Sequence, residues 1–456
     1  MSVTNLGLIG HPLAHSLSPF IHQALMDTAG IQGTYRLYDI KPENLENEFP
    51  GLMQRHHGLN CTIPYKQAVV PLLSSLDQSA VHCQAVNTIY KQRGYNTDYK
   101  GFLSDCPDLR SYHVLILGAG GVSKTMAYAA VDSGAGVCIQ ARRKEQADQL
   151  AEELKSKFPG CDVCFVETLS QWDQEHDSWF EQKRPWALLN GTPAGLWPDI
   201  RRMPLSSDRL PSFAFVYDTI YNPVATRLVL RARSQHVKAF SGLGMLFNQA
   251  LAAQKIWHPG HVFPEKMIRK IREQLAEAVL KQSPVNFLLT GFMGCGKSTI
   301  GQILSVKMGL EFIDLDEQIE KTAGQSIPDI FSEQGEETFR AIEHDCLKAF
   351  LDRKHSKIIA TGGGAMIQKR IRNLIDAYPV QVIWINVPLE VISQRVGDGS
   401  GRPLLSNLQS QSIEALYNSR YEIYNQTADL SVDGCEKPEQ IAESIKEMLG
   451  FGGNLI

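Results

Sequence analysis

The chain has 456 residues, room for about three domains at ~150 residues each. Apolar residues make up 43% and charged residues 21%, ordinary for a globular protein, and a net charge of −4 gives no electrostatic reason to expect nucleic acid or an anionic membrane as partner. Nine cysteines in both halves suit a reducing compartment rather than a disulfide framework; with no long apolar run and no basic leader before the first apolar stretch, the expectation is a cytoplasmic protein acting on small metabolites.

Short apolar strands alternate with helix-period segments. Strands are predicted at Leu6–Ile9, Gly58–Thr62, Val114–Leu117, Val137–Gln140 and Ala187–Leu189, then at Phe287–Leu289, Ile358–Ala360 and Val382–Ile385. That rhythm predicts an α/β protein built on parallel sheets. A boundary is expected near Phe102, ahead of the Val114 strand. The main boundary follows a patterned helix from Pro264 to about Lys281, at Gln282-Ser283-Pro284. That join is too short for a flexible linker, so the two halves are expected to touch or to be held in a restricted orientation.

The first polar constellation, Gly10 to Pro19 (GHPLAHSLSP), puts Ser16 and Ser18 at a strand-to-helix turn. Ser18 suits an N-cap and Pro19 the first helical position, but capping does not account for Ser16. Two hydroxyls beside a helix N-terminus suit a carboxylate. Asn60 to Lys66 (NCTIPYK) ends a strand in a polar loop with one lysine, and Ala85–Thr88 (AVNT) and Asn96–Asp98 (NTD) follow. His113 to Lys124 (HVLILGAGGVSK) reads as strand, glycine turn and helix, in which Gly118, Gly120 and Gly121 let a pyrophosphate approach backbone N–H groups, with Ser123 at the third fingerprint position. The next strand ends in Gln140-Ala141-Arg142-Arg143-Lys144, with no acid for ribose hydroxyls and three cations in a row. A 2′-phosphate suits them, which favours NADP over NAD; the alternative is a solvated basic helix start. Cys161 and Cys164 form a C-x-x-C with no second pair at zinc spacing and read as a strand entry.

Taken together, these motifs resemble the shikimate dehydrogenase family from about Gly7 to Lys281, and Asp218–Pro223 (DTIYNP) and Gly242–Gln249 (GLGMLFNQ) match it as well. The resemblance implies an α/β substrate domain (1–102, closed by helices at about 240–282), a Rossmann NADP-binding domain (103–239), and reduction of 3-dehydroshikimate to shikimate. It implies that Ser16 and Ser18 bind the substrate carboxylate, that Thr62, Asn87, Tyr221 and Gln249 contact ring hydroxyls or the carboxylate, and that Lys66 and Asp98 are the catalytic pair, Asp98 also touching substrate. Gly118, Ala119, Gly120, Gly121, Val122, Arg142, Arg143, Thr219 and Gly242 would hold the cofactor. Cys61, Ala141, Gly191, Leu196 and Ser241 depart from the family pattern and bear on cofactor affinity rather than on the reaction. The retained serine pair fits shikimate better than quinate.

In the second half, a short apolar strand leads into Gly291 to Ser298 (GFMGCGKS) and a helix follows. This is a complete phosphate-binding loop: backbone N–H groups wrap the phosphates, Lys297 meets the outer ones, and Ser298 holds Mg²⁺. Asp314-Leu315-Asp316, Phe339-Arg340-x-x-Glu343, Gly362-Gly363-Gly364, Arg402-Pro403-Leu404-Leu405 and Arg420 come after it. From Pro284 to about Leu449 the order resembles the shikimate kinase family, implying a P-loop NTPase-like α/β kinase domain (284–456) that uses ATP and Mg²⁺. By that resemblance Asp316 orients the accepting hydroxyl or acts as its base, Arg340 and Arg420 clamp the shikimate carboxylate, and Gly363 contacts substrate through its backbone. Gly294, Cys295, Gly296, Lys297, Ser298 and Thr299 cradle ATP, Arg402 arrives from a lid hinged at 396–402, Arg395 stacks on adenine or is solvated, and Asp314 reaches Mg²⁺ through water.

The expected function is therefore a bifunctional enzyme of aromatic amino acid biosynthesis, in which the carbonyl reduced by the first half becomes the hydroxyl phosphorylated by the second. The competing class is a metabolite-sensing regulator derived from the same domains. Such a protein would be free to lose catalytic groups, yet Lys66, Asp98, Lys297, Ser298 and Asp316 are all present, and no helix-turn-helix extension or basic patch is visible.

Overall fold

The computed structural model describes residues 3–13, 16–396 and 410–452. Their strands form three sheets. The first contains β1 (Thr4–Gly10), β2 (Gly33–Asp39), β3 (Gly58–Cys61), β4 (Ser75–Leu76), β5 (Thr88–Tyr90) and β6 (Arg93–Tyr95) in the order β2-β1-β3-β5-β6-β4. The second contains β7 (His113–Leu117), β8 (Gly136–Gln140), β9 (Val163–Val166), β10 (Trp186–Asn190), β11 (Phe213–Asp218) and β12 (Lys238–Phe240) in the order β12-β11-β10-β7-β8-β9. The third contains β13 (Asn286–Thr290), β14 (Glu311–Asp314), β15 (Lys357–Ala360), β16 (Val380–Asn386) and β17 (Leu430–Asp433) in the order β14-β15-β13-β16-β17.

The second and third sheets are parallel throughout. Their central strands β7, β10 and β13 are buried at every residue, as strands covered on both faces by helices must be. The second sheet's order is that of a doubly wound dinucleotide fold, with its switch point between β7 and β10. The first sheet departs from the all-parallel expectation. β1 pairs in parallel with β2 and β3, but β5 runs antiparallel to both β3 and β6. The cause is local: Lys91 and Gln92, the only residues between β5 and β6, both take positive φ (48° and 59°), the two-residue turn that folds a strand back on its neighbour.

The helices Gly242–Trp257 and Glu265–Gln282 return to cover the first sheet, burying Leu243, Phe247, Trp257, Ile271 and Leu275 against Leu6, Leu8, Ile21 and Leu25. The Thr97–Asp105 helix joins the first sheet to the second, so a division at Phe102 falls inside it. Phe102 is fully buried and meets the ring of Tyr217 in β11 edge-on at 5.1 Å.

The two halves touch along the join. Ser283, Val285 and Asn286 are buried. Asn222 Nδ2 donates to Ser283 Oγ (2.8 Å), Trp197 Nε1 to the Pro284 carbonyl (3.2 Å) and Gln381 Nε2 to the Ala225 carbonyl (2.6 Å). One apolar cluster runs from Leu115 and Leu188 through Ala225 and Leu280 to Val285, Phe287 and Val382. No helix among the described residues is long and apolar enough to cross a membrane.

Gly58 gives a direct check on how the returning helices seat. A Cβ at this position would lie 2.1 Å from Trp257 Nε1, and that indole is held by its own bond to the Ile89 carbonyl (3.0 Å). Gly58→Ala is expected to destabilise the first unit by about 1–3 kcal/mol, the usual cost of overpacking. Gly51→Ala, in a helix with only Arg55 Nη2 nearby at 3.7 Å, should instead be neutral or stabilising by up to about 1 kcal/mol. Thermal unfolding of the two variants side by side reads the contrast.

Candidate functional site

Lys66 lies in the one-turn helix Tyr65–Ala68 that follows β3, and Asp98 in the first turn of the Thr97–Asp105 helix. Lys66 Nζ donates to Asp98 Oδ2 at 2.6 Å. Burial alone would pull the lysine down, but the charge and hydrogen bond of Asp98 outweigh it and hold the ammonium above its ordinary range. Both partners are positioned by the same segment. The Val86 N–H donates to the Lys66 carbonyl (2.7 Å), and Asn87 Oδ1 accepts from the Thr97 N–H (2.7 Å) and Thr97 Oγ1 (3.0 Å), which leaves the Asn87 amide nitrogen as the group presented outward.

Ser18 is not the N-cap of its helix. The helix starts at Ser18 with Leu17 before it, and the Ser18 N–H donates to Ser16 Oγ (3.2 Å). The hydroxyl that sequence left without a structural duty thus serves the helix start, and Ser18's side chain is released toward Tyr35, whose phenol burial pushes up and the Ser18 hydroxyl offsets. Tyr35 donates to Asn60 Oδ1 (2.7 Å), and Asn60 Nδ2 to the Asn87 carbonyl (3.0 Å), a buried chain from the serine turn toward the Lys66–Asp98 pair. Tyr35 was not singled out from sequence, because nothing local marks a tyrosine in β2. Thr62 is half-buried, its methyl occupying the space a Gly10 side chain would need. Gln249 turns its amide onto its own helix, donating to the Leu246 carbonyl (2.9 Å), and sits opposite Gly101 of the Asp98 helix. Tyr221 is half-buried, and burial raises its phenol.

The dinucleotide turn follows β7. Gly118 takes φ +96°, and Cβ atoms built at Gly120 and Gly121 meet nothing within 4 Å, so that face is open to a ligand, with Ala119 and Val122 half-buried beside it. Ser123 is fully buried, and a Cβ at Gly191 would lie 2.2 Å from its Oγ. The Ser123 variation on the dinucleotide fingerprint and the Gly191 departure from the family pattern compensate one another: the larger residue at 123 needs the smaller one at 191. Of the three consecutive cations, Lys144 is taken by Glu167 at the end of β9. Arg142 and Arg143 are exposed, with no side-chain partner among the described residues. Thr219 Oγ1 donates to the Asn190 carbonyl (3.0 Å), and a Cβ at Gly242 would lie 2.0 Å from the Thr219 carbonyl oxygen, so only glycine lets that helix start approach. Asp218, fully buried, takes bonds from Asn190 Nδ2 (2.9 Å), Thr226 Oγ1 (2.6 Å) and the Ile220 N–H (3.1 Å), and burial pushes it up to about 6.

In the second half Gly291, Gly294 and Gly296 take φ of +146°, +81° and +94°, and the helix begins at Lys297. Lys297 Nζ lies over the Gly291 (3.0 Å) and Phe292 (3.2 Å) carbonyls, Cys295 is buried beneath, and Ser298 and Thr299 are exposed. Ser298 Oγ donates to Asp314 Oδ2 (2.6 Å), and Asp314 Oδ1 caps the next helix through the Asp316 N–H (3.1 Å). Burial, with the charge of Asp314, pushes Asp316 up to about 6 against the pull of Lys297. Gly362 is what lets the acids converge: its Cβ would lie 2.9 Å from Asp316 Oδ1 and 3.3 Å from Glu343 Oε1. Glu343, fully buried, accepts from Arg340 (2.9 Å) and Gln368 (2.6 Å) through Oε2, leaving Oε1 without a partner.

Arg340 and Arg420 flank the same glycine turn. Arg340 is already paired with Glu343 and Glu336, whereas Arg420 donates to the Gly363 carbonyl (3.2 Å) and lies over the Phe292 ring at 5.6 Å. Tyr424 donates to the same carbonyl. The Gly363 oxygen is therefore used within the protein, and its N–H is the backbone group left for a ligand. Arg395 is exposed with its guanidinium tethered, Nη2 donating to the Gly434 (2.9 Å) and Cys435 (3.3 Å) carbonyls. Arg402 and the 396–402 hinge lie outside the described residues, apart from the last helical position. No cluster of three or more His, Cys, Asp or Glu is present among the described residues, and Cys164 lies beside Cys138 on the neighbouring strand.

Comparison with known proteins follows the same division. A model of the shikimate dehydrogenase substrate binding domain matches residues 8–89, and a shikimate kinase model matches 293–450. The shikimate dehydrogenase (NADP(+)) of Caldanaerobacter subterraneus is 35% identical over 281 residues, which is 59% of this chain and 96% of that protein. The Thermus thermophilus shikimate 5-dehydrogenase solved with NADP(H) and shikimate is 28% identical with a TM-score of 0.51, covering 60% of this chain and all of that one (100%). A chorismate mutase/shikimate 5-dehydrogenase fusion from Clostridium acetobutylicum is 29% identical with a TM-score of 0.52, covering 61% of this chain and 99% of that one. With the open nucleotide turn and the Lys66–Asp98 pair in the first half and the phosphate loop in the second, the chain belongs to the shikimate dehydrogenase family and continues into a shikimate kinase domain, uniting both enzymes on one polypeptide.

Proposed function

We propose that the first half reduces 3-dehydroshikimate to shikimate with NADPH and that the second transfers the γ-phosphoryl group of ATP to the hydroxyl so formed. The observation that carries this reading is the Lys66–Asp98 pair, an ammonium held charged at 2.6 Å from its carboxylate beside the outward amide of Asn87. The working division is residues 1–102 with the returning helices at about 240–282, 103–239, and 284–456.

The open face at Gly120 and Gly121, with Arg142 and Arg143 beyond it, fits a dinucleotide carrying a 2′-phosphate. NADPH held there would supply the hydride. As the ketone oxygen gains negative character, Lys66 donates a proton from Nζ, and Asp98 keeps the lysine charged and aimed. The Ser16 and Ser18 turn receives the substrate carboxylate, and Thr62, Asn87, Tyr221 and Gln249 face the ring. In the second half, Ser298 and Asp314 offer two oxygen ligands side by side, a donor set that suits a hard divalent cation. Mg²⁺ there would neutralise phosphate charge. Arg340 and Arg420 hold the acceptor's carboxylate, Asp316 orients its hydroxyl, and Lys297 leaves the loop carbonyls for the outer phosphates of ATP, with Arg395 and Arg402 completing the nucleotide side.

One purified chain should therefore catalyse both NADP⁺ reduction by shikimate and shikimate-dependent ATP turnover. Lys66→Ala is expected to lower the dehydrogenase kcat by ~10²-fold or more, with cofactor affinity little changed and phosphorylation intact. Lys297→Ala should do the reverse. An unaltered dehydrogenase kcat in Lys66→Ala would remove that residue from the chemistry.

Asp316 sets a pH dependence. A carboxyl pushed up to about 6 is an anion above that pH and neutral below it, so kcat/KM for phosphorylation should be level above pH 7 and fall about tenfold per unit below pH 6. A profile flat from pH 7 to 5 would show that the ionised form is not required.

A further inference from the structure

The Ser410–Thr427 helix, which carries Arg420 and Tyr424, lacks a carboxyl-terminal cap of its own. Its last backbone bond runs from the Ala428 N–H to the Tyr424 carbonyl (2.9 Å), and the residues that follow, Ala428, Asp429 and Leu430, include no glycine or asparagine to close the turn. The carbonyls of Asn425, Gln426 and Thr427 are therefore orphan acceptors at the negative end of the helix dipole.

All three are taken by arginines from the other half. Arg231 donates to Asn425 (2.8 Å) and Gln426 (2.8 Å), Arg227 to Gln426 (3.4 Å), and Arg201 to Thr427 (3.2 Å). Arg227 and Arg231 belong to the Arg227–Ser234 helix beside β11 and β12, and Arg201 to the loop after β10. The cluster is pinned by Asp429, whose side chain is only 1% exposed. Its carboxylate accepts from Arg201 Nη1 (2.6 Å) and from the Val382 N–H of β16 (2.7 Å), and Arg227 Nε lies 3.0 Å away as an ion-pair neighbour. The grip thus reaches the helix end, the start of β16 and the residue ahead of β17 together.

We propose that Arg201, Arg227 and Arg231 are positioning residues for phosphoryl transfer: from across the join they cap the acceptor-side helix and set where Arg420 and Tyr424 meet the Gly363 carbonyl. The inference rests on the kinase reading given above. A helix moves as a rigid rod over two turns, so its fixed end governs Arg420, seven residues back, and Tyr424, which lies within the last turn. The phosphate loop meets this helix through the Phe292 ring, which Arg420 and Tyr417 cover, but its backbone is set by β13 and by the helix that begins at Lys297, so ATP binding should respond far less to the cap than shikimate binding does.

The test uses the full chain and Arg231, which is at the surface of the cluster and touches neither nucleotide site. Arg231→Ala is expected to raise the KM for shikimate in phosphorylation about tenfold, the loss of two hydrogen bonds from a charged donor. KM for ATP and the dehydrogenase kcat/KM should stay within about twofold, and Arg231→Lys, which keeps a donor and the charge, should recover most of the loss. Dehydrogenase activity in the same sample reports an intact fold. If the alanine variant does not yield active dehydrogenase, Arg231→Gln carries the same expectation in weaker form. A shikimate KM within about twofold of the parent in the folded variants, or shikimate and ATP KM values rising together, overturns the inference. A parent chain that transfers no phosphate to shikimate overturns the kinase reading and the inference with it.

Discussion

A parallel strand ends where a helix begins, and at that crossing the backbone N–H groups of the helix start are unpaired and point outward. Most candidate groups in this protein stand at such a crossing; Gln249, Arg340 and Arg420, inside helices, do not. The serine turn follows β1, Lys66 follows β3, the glycine turn follows β7, Arg142 and Arg143 follow β8, Thr219 follows β11, the phosphate loop follows β13, Asp314 ends β14 with Asp316 just beyond it, and Gly362–Gly364 follows β15. The sheet interiors are apolar and buried, so they supply rigidity; chemistry is confined to one edge of each. Asp98 reaches such a crossing by a detour: β5 runs against β3 and β6 against β5, so β6 points the way β3 does. It follows β6, a strand of the antiparallel hairpin, and the reversal at Lys91 and Gln92 is what returns the chain so that the helix after it starts beside Lys66.

Charge is handled differently in the two halves. In the first, an acid and a base compensate each other directly, and a fully buried acid, Asp218, is satisfied by three neutral donors. In the second, two acids crowd around one glycine with a third close to them: Glu343 is half satisfied by Arg340 and Gln368, Asp314 is tied to Ser298, and Asp316 is left with the raised proton affinity. Lys297 and the two arginines supply the opposing charge. Removing one cation from such a group costs more than its own contacts, because the acids it faces are then left buried without compensation.

The central strands were legible in the sequence because burial on both faces makes each a short continuous apolar run: β7, β10, β13 and β16 lie where the pattern puts them, lengthened by one to three residues. Edge elements were not. β4, β14 and β17 are short and half polar, β9 and β12 are only four and three residues long, and β2 presents mixed residues on an open edge. The hairpin was invisible because Lys-Gln is not a turn pair that composition flags. Site groups that come in contiguous motifs could be read directly. Those that depend on distant packing could not: the Tyr35–Asn60 chain links β2 to β3, and the Ser123–Gly191 compensation joins the helix after β7 to the turn after β10, each looking like an isolated departure until the two are seen in contact.

The join at Gln282–Pro284 has a consequence for how the chain could ever be taken apart. Proteases and gene truncations find exposed, extended stretches, and here the residues on either side of Pro284 are interior: Ser283 is 5% exposed, Val285 1% and Asn286 3%. A cut there would bare Leu280 on one piece and Val285 and Phe287 on the other, apolar surface that each piece now hides for its neighbour. Each enzyme has become part of the other's solvent exclusion, so neither could be shed in evolution without first rebuilding a water-facing surface.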